Sequence, residues 1–166
     1  MSNYRYCPRC GSKFTYKNLH GRKRLFCPSC SFIFYQNPKP AVGVFIVERN
    51  KVLLAKRAIE PFKDWWDSIG GFMEEGEAPN ETAIREAKEE TGLDIELLEI
   101  LGIGKDKYED YSTVPISYLG KINGGKLKPA DDVAELKWFT LDHLPSNISF
   151  EGNKKILKIL QERYTQ

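Results

Sequence analysis

Gly71 to Leu93 reads GFMEEGEAPNETAIREAKEETGL. Pro79 suits the first turn of a helix, Asn80 to Glu90 is rich in helix formers, and Gly92 is a natural stop. The spacing predicts a helix from about Pro79 to Thr91. At about 100° per residue, Glu86, Glu89 and Glu90 share one arc of that helix. Like charges at these spacings repel by roughly 0.2 to 0.5 kcal/mol per pair, so the triplet has no packing motive of its own. A divalent cation supplies one, because hard oxygen ligands on one face, with room left for water and phosphates, suit Mg2+ or Mn2+. The alternative is a solvated acidic face softened by Arg85 and Lys88. Upstream, the apolar run Trp65 to Ile69 ends in Gly70-Gly71. A strand entering a loop there brings backbone carbonyls close to the metal site, which only Gly allows at low cost.

The full pattern is Gly71, five residues, Glu77, seven residues, Arg85-Glu86, then Ala87, Glu89-Glu90, Gly92 and Leu93. It is identified as a Nudix box; seven fixed identities at about 7% usage each give a chance match of roughly one in a million. The resemblance implies that the Gly71 carbonyl, Glu86, Glu89 and Glu90 bind the catalytic Mg2+ or Mn2+. It also implies that Arg85 and Glu77 hold loop and helix in register. Ile69 stands where many relatives have Pro.

Towards the amino terminus, Cys7-Pro8-Arg9-Cys10 and Cys27-Pro28-Ser29-Cys30 form two CxxC pairs separated by sixteen residues. This spacing matches a four-cysteine structural Zn2+ site, closed to substrate water. The segment has few aliphatic residues, so the metal stands in for a core. Two disulfides are the alternative. His20 lies between the pairs and reads as a surface residue. Residues 1–40 hold eight Lys and Arg and no Asp or Glu, although the whole chain carries a net charge of only +2. A basic cap, residues 1–36, is therefore expected on an acidic body, residues 37–166. Arg22, Lys23 and Arg24 are its densest cluster, and Tyr16, Phe26, Phe32, Phe34 and Tyr35 add aromatic surface. This mixture suits single-stranded nucleic acid, docking on an acidic body, or positioning of a dinucleotide.

In the body, Asn37-Pro38-Lys39-Pro40 reads as a linker. AVGVFIV from Ala41 and KVLLAKR to Arg57 read as a hairpin around Glu48-Arg49-Asn50. Trp65 and Trp66 cannot both face one side of a strand, so one belongs to the core and the other is free to stack on a base. Further strands are expected over 95–101, 113–119 and 136–139, with loops over 104–112 and 121–131. Ile156, Leu157, Ile159 and Leu160 predict an amphipathic closing helix over 153–164. No apolar run is long enough to span a bilayer, and MSNYRYC lacks a signal-peptide core, so a cytoplasmic protein is expected.

The order of elements predicts an α/β (α+β) fold: the mixed-sheet α/β/α sandwich of Nudix domains, carrying a small amino-terminal zinc ribbon. The ribbon followed by the box also resembles the NADH pyrophosphatases and the enzymes that split FAD or ADP-ribose. The Ser-Gln-Pro-Trp-Pro-Phe-Pro stretch of the NADH group does not follow Leu93, which favours the second group. The expected activity is metal-dependent hydrolysis of a nucleoside diphosphate linked to another group. The base is left open between a box glutamate and an acid upstream of Trp138, where Asp131, Asp132 and Glu135 lie. Expected substrate contacts are Trp65, Trp66, Phe72, Asp132, the loop 107–111 and Arg57, for which the resemblance implies contact with a substrate phosphate and the alternative is a solvated strand end. The alternatives are RNA 5′-end processing, with the cap gripping the transcript, and a nucleotide-sensing module that does not turn over. The oligomeric state, a homodimer included, is not legible.

Overall fold

The computed structural model describes residues 4–108 and 110–164, in two compact units that meet between Asn37 and Pro38. Among the described residues no helix is long and apolar enough to cross a membrane.

The first unit is a three-stranded antiparallel sheet of β1 (Thr15–Leu19), β2 (Arg22–Phe26) and β3 (Ile33–Phe34), in the order β1-β2-β3. Its core is small: Cys7, Phe14, Leu25 and Cys27 are buried, with Cys30, Phe32 and Phe34 packed against them. The four cysteine thiols are free, and their sulfurs all lie within 4.8 Å of one another. Cys7 and Cys30 are 3.7 Å apart and Cys10 and Cys27 3.5 Å. A disulfide has an S–S length of about 2.05 Å, whereas a tetrahedron with zinc–sulfur bonds of about 2.3 Å has edges of about 3.8 Å. The cluster fits a tetrahedral ion.

The second unit holds β4 (Lys39–Glu48), β5 (Lys51–Arg57), β6 (Trp66–Asp67), α1 (Pro79–Thr91), β7 (Leu93–Ile103), β8 (Asp106–Tyr108), β9 (Tyr111–Gly125), β10 (Val133–Thr140) and α2 (Glu151–Tyr164). The main path of its sheet runs β10-β5-β4-β9-β7, with β6 added to β5 and β8 to β9. β4 and β9 are parallel and the other pairs antiparallel, so the sheet is mixed.

Strand alternation sorts the core into two layers. Val42, Val44, Ile46, Leu53 and Ala55 face one way and pack with Ala83 and Ala87 of α1. Phe45, Val52 and Leu54 face the other way and pack with Ile156, Leu157 and Leu160 of α2. The result is the expected sandwich, one helix on each face. Ile159 is the exception in α2: it is 39% exposed and lies off the apolar stripe.

Several boundaries differ from the sequence expectation. Lys39 and Pro40 are not linker but the first residues of β4, in register with Thr113 and Val114 of β9. The Pro40 carbonyl accepts from Met73 N–H at 3.4 Å, so the proline supplies an acceptor where it cannot donate. The run before the glycines is strand only at Trp66 and Asp67, with Ile69 bridged to Val44. Two backbone bonds tie Ile69 to Val44, and its side chain is fully buried, which fixes the loop without a proline. Within 104–112 the short β8 pairs with β9; Glu109, inside that expected loop, lies outside the described residues. β9 runs on to Gly125, through much of the second expected loop.

Candidate active site

The helix α1 begins and ends where local chemistry requires. Pro79 is its first residue, Glu81 accepts from the Ala78 N–H at 2.7 Å, and Gly92, at φ 70°, closes it with an N–H bond to Lys88 O. Glu86 and Glu90 lie on its buried edge, and Glu89 is half exposed. Gly70 and Gly71 run directly alongside. Gly70 donates its N–H to Glu90 Oε2 at 2.8 Å. Its φ of 143° and a virtual Cβ only 2.3 Å from Val42 O exclude any other residue. A Cβ on Gly71 would stand 2.6 Å from Glu86 Oε1, so only a bare backbone leaves that carboxylate in place. The Gly71 carbonyl accepts from Val42 N–H at 2.9 Å and keeps a second lone pair.

Arg85 ties this assembly together. Its Nε and Nη2 form a bidentate pair with Glu77 at 2.6 and 3.0 Å, Nη1 bonds Glu86 at 2.9 Å and Glu89 at 2.8 Å, and Nη2 reaches Phe72 O at 3.3 Å. The Arg85 bonds, with help from Thr82 O–H and Glu74 N–H, hold the Glu77 carboxyl down at about 2, against an ordinary value of 4.5. A depressed acid stabilises the fold above its unfolded pKa and loses that contribution as pH falls through its folded value. Glu77→Gln is therefore expected to lower Tm at neutral pH and to flatten the loss of Tm between about pH 4.5 and 2. Thermal melts over that range check it, and parallel curves for the two proteins would contradict it.

The other acids of the site outnumber their cationic partners, Arg85 and Arg57. Burial first, then the charges of Asp132, Glu86 and Asp67, push the Glu90 carboxyl well above its ordinary range against the Gly70 N–H. Burial likewise raises Glu86, opposed by Arg85 and reinforced by Glu89 and Asp132. Asp132 is brought here by the segment before β10. Lys128 and Ala130 N–H cap the helix-end carbonyls of Thr91 and Glu90, and Ala58 N–H bonds Asp132 O at 2.7 Å. A small cavity is lined by Glu90, Asp132, Asp67, Arg57, Ser68 and Gly70. Glu135 is not part of it: its carboxylate turns to Lys56 at 3.6 Å and is 48% exposed. In their present rotamers the box carboxylates do not converge as the cysteines do, since Arg85 occupies the space between Glu86 and Glu89. The acidic surplus around Glu86, Glu90, Asp67 and Asp132 nevertheless fits a hard divalent cation.

A larger cleft opens from the same two glycines. Phe72, Tyr108 and Phe150 supply its aromatic walls, and Arg57, Asp67, Ser68 and Asn153 its polar end. Tyr108 lies nearly parallel to Phe150, with ring centroids 6.0 Å apart and planes 15° apart, and Phe72 meets Tyr108 edge-on at 5.3 Å. Asp106 fixes this arrangement by accepting from Gly152 N–H at the start of α2, which ties β8 to the turn carrying Phe150. Arg57 is not a solvated strand end. It bonds Asp67 at 2.8 Å and Pro61 O at 2.7 Å and lies 5.5 Å over the Phe150 ring. Burial opposes its charge, but Asp67 outweighs that and keeps the guanidinium ionised. Asp67, itself raised by burial, also accepts from Asn153 Nδ2 at 2.5 Å. Trp66 is the core tryptophan, 7% exposed against 38% for Trp65. Trp65 packs on Phe62, which meets Phe150 in turn, so it stands behind the cleft wall and does not line it.

Residues 37–160 match the family model described as NUDIX domain. The chain belongs to the Nudix hydrolase family. Its residues 5–36 match the model described as Nudix N-terminal, the zinc ribbon of Nudix proteins. The chain is 38% identical over 126 residues to the ADP-ribose pyrophosphatase of Methanocaldococcus jannaschii, covering 75% of this chain and 73% of that one. It is 32% identical to the NAD-capped RNA hydrolase NudC of Vibrio vulnificus, covering 85% of this chain and 52% of that protein. It thus spans about half the length of the NudC relatives. Over 98% of its length and 93% of the other, it superposes on the crystal structure of a NUDIX hydrolase from Nitrosomonas europaea with a TM-score of 0.86 and 31% identity.

Within this Nudix domain, sequence reasoning missed Asp67, Phe150 and Asn153 as cleft residues. Tyr108 belongs to the loop 107–111 that was expected to contact substrate, but nothing in the local sequence marks the other three. Asp67 is more than eighty residues from Phe150 and Asn153, and they meet only because β6 and the start of α2 converge on one end of β4.

Proposed function

We propose that this Nudix domain hydrolyses the phosphoanhydride bond of an adenine-containing diphosphate such as ADP-ribose or FAD, giving AMP and a second phosphomonoester. One observation carries the reading: Gly70 and Gly71 line the aromatic cleft while touching the carboxylates of Glu90 and Glu86, so ring and diphosphate sites adjoin. The walls Phe72, Tyr108 and Phe150 suit a flat ring, and Arg57 beside them suits a phosphate oxygen. Glu86, Glu89, Glu90 and the Gly71 carbonyl are assigned to Mg2+ or Mn2+, and Cys7, Cys10, Cys27 and Cys30 to a structural Zn2+. The divalent cation, when bound, lowers the pKa of water and neutralises charge on the phosphoryl oxygens. Arg85 and Glu77 hold the box in register. Of the acids upstream of Trp138, Asp132 and not Glu135 is assigned as the later-loop acid, because it lies against Glu90 whereas Glu135 faces Lys56.

The M. jannaschii relative is named for ADP-ribose, the NudC relatives for NAD-capped RNA, and that RNA is the second reading. Among the described residues Arg57 is the one cation lining the cleft, which disfavours a triphosphate. A panel of ADP-ribose, FAD, NADH, nucleoside triphosphates and NAD-capped RNA, with each metal, tests the ranking. ADP-ribose and FAD are expected to be cleaved fastest, NADH behind them and triphosphates last. Dominant pyrophosphate release from triphosphates would overturn the substrate class.

A further inference from the structure

One face of the amino-terminal sheet points away from the cysteine core of its unit. Register sorts its residues: Lys17 stands opposite Arg24, Leu19 opposite Arg22 and Phe26 opposite Ile33, so these share one face, with Tyr35 two residues beyond Ile33. Leu25 and Phe34 point the other way, into the cysteine core. Three cations and two aromatic rings therefore alternate on one surface. Lys17 Nζ sits 4.8 Å over the Phe26 ring and the Arg24 guanidinium 4.6 Å over Tyr35. Tyr35 is 47% exposed, and Arg24 Nε, shielded from water, has no hydrogen-bond partner among the described residues. Up to Asn37 the chain holds seven Lys and Arg and no Asp or Glu. Four thiolates and one Zn2+ contribute −2, so the unit remains strongly cationic.

We propose that this face binds single-stranded nucleic acid, with Lys17, Arg22 and Arg24 on phosphates and Tyr35 and Phe26 as stacking platforms. Arg22 and Arg24, two residues apart on one strand, are spaced by about 7 Å along it and present charges in a row. An acidic protein surface would use the charges but not the rings; unstacked bases use both. The proposal is independent of which diphosphate the Nudix domain cleaves.

The test uses the full, zinc-loaded chain and a fluorescein-labelled 12-nucleotide oligouridylate, read by anisotropy at 50 and 200 mM salt. Three phosphate contacts predict a log–log salt slope of about −2, hence roughly 15- to 20-fold weaker binding at the higher salt. The Lys17→Ala/Arg22→Ala/Arg24→Ala variant, with zinc content and small-substrate turnover unchanged, should bring the slope close to zero. Tyr35→Ala should weaken binding by about tenfold at both salts and leave the slope as it was. Oligothymidylate of the same length should bind within a few-fold, and duplex RNA and polyglutamate should compete at least about tenfold less well. Absence of binding at 50 mM salt, an unchanged slope in the triple variant, unchanged affinity in Tyr35→Ala, or equal competition by polyglutamate would overturn the proposal.

Discussion

Glu90→Gln is expected to lower kcat by on the order of 10³-fold on any diphosphate while the protein stays folded. The carboxylate is 5% exposed, it meets the charges of Asp132, Glu86 and Asp67, and the hydrogen bond that the Gly70 N–H donates to it can be accepted equally by a glutamine oxygen. Gln thus keeps the backbone bond and removes the charge a divalent cation would need. Because the wild-type carboxyl is raised above its unfolded value, its ionisation opposes folding as pH rises, and the Gln protein should melt no lower than wild type in metal-free buffer at pH 7. Glu135→Gln is the control: its exposed pair with Lys56 is worth less than about 1 kcal/mol, and turnover should stay within about threefold of wild type. Turnover near wild type for Glu90→Gln, or a collapse for Glu135→Gln, would reverse the two assignments.

Cys27→Ser is expected to abolish tight zinc binding and unfold the amino-terminal unit. Cys27 is fully buried in a core whose other buried members, among the described residues, are Cys7, Phe14 and Leu25. Such a core is too small to fold alone, and binding free energy at a four-thiolate site is folding free energy. The second unit has its own two core layers, so its melting transition should persist while the ribbon's strand signals vanish from amide spectra. One zinc per chain in wild type and none in the variant, by metal analysis of protein purified without added zinc, is the expected result. Disulfide-bonded wild type without metal would contradict the assignment.

The parts of this protein that were legible in its sequence are those written in short-range chemistry. The helix α1 was readable to the residue because Pro79 and Gly92 punctuate it, and the two CxxC pairs announced a four-sulfur cluster. Two short apolar runs either side of the turn-like Glu48-Arg49-Asn50 gave β4 and β5 and their hairpin. Where glycines interrupt the apolar pattern, as at Gly120, Gly124 and Gly125, the far end of β9 was invisible, since pairing with β7 and not side-chain pattern extends it. Pro40 argued against a strand that its neighbours on β9 impose. The carboxylates of the box were legible as a set, but the choice between Asp132 and Glu135 was not. It depends on Lys128 and Ala130 capping α1, a contact across more than thirty residues. Asp67 and Asn153 looked like ordinary polar residues; the pairing of β6 with β5 sets Asp67 beside Arg57, and the start of α2 brings Asn153 onto Asp67.

The most direct test is the identity of the products formed from ADP-ribose with Mg2+. Hydrolysis at the phosphoanhydride predicts AMP and ribose 5-phosphate in equal amounts by chromatography, dependent on added metal and absent in Glu90→Gln. Formation of ADP, metal-independent cleavage, or an inert protein on ADP-ribose and FAD alike would contradict the account.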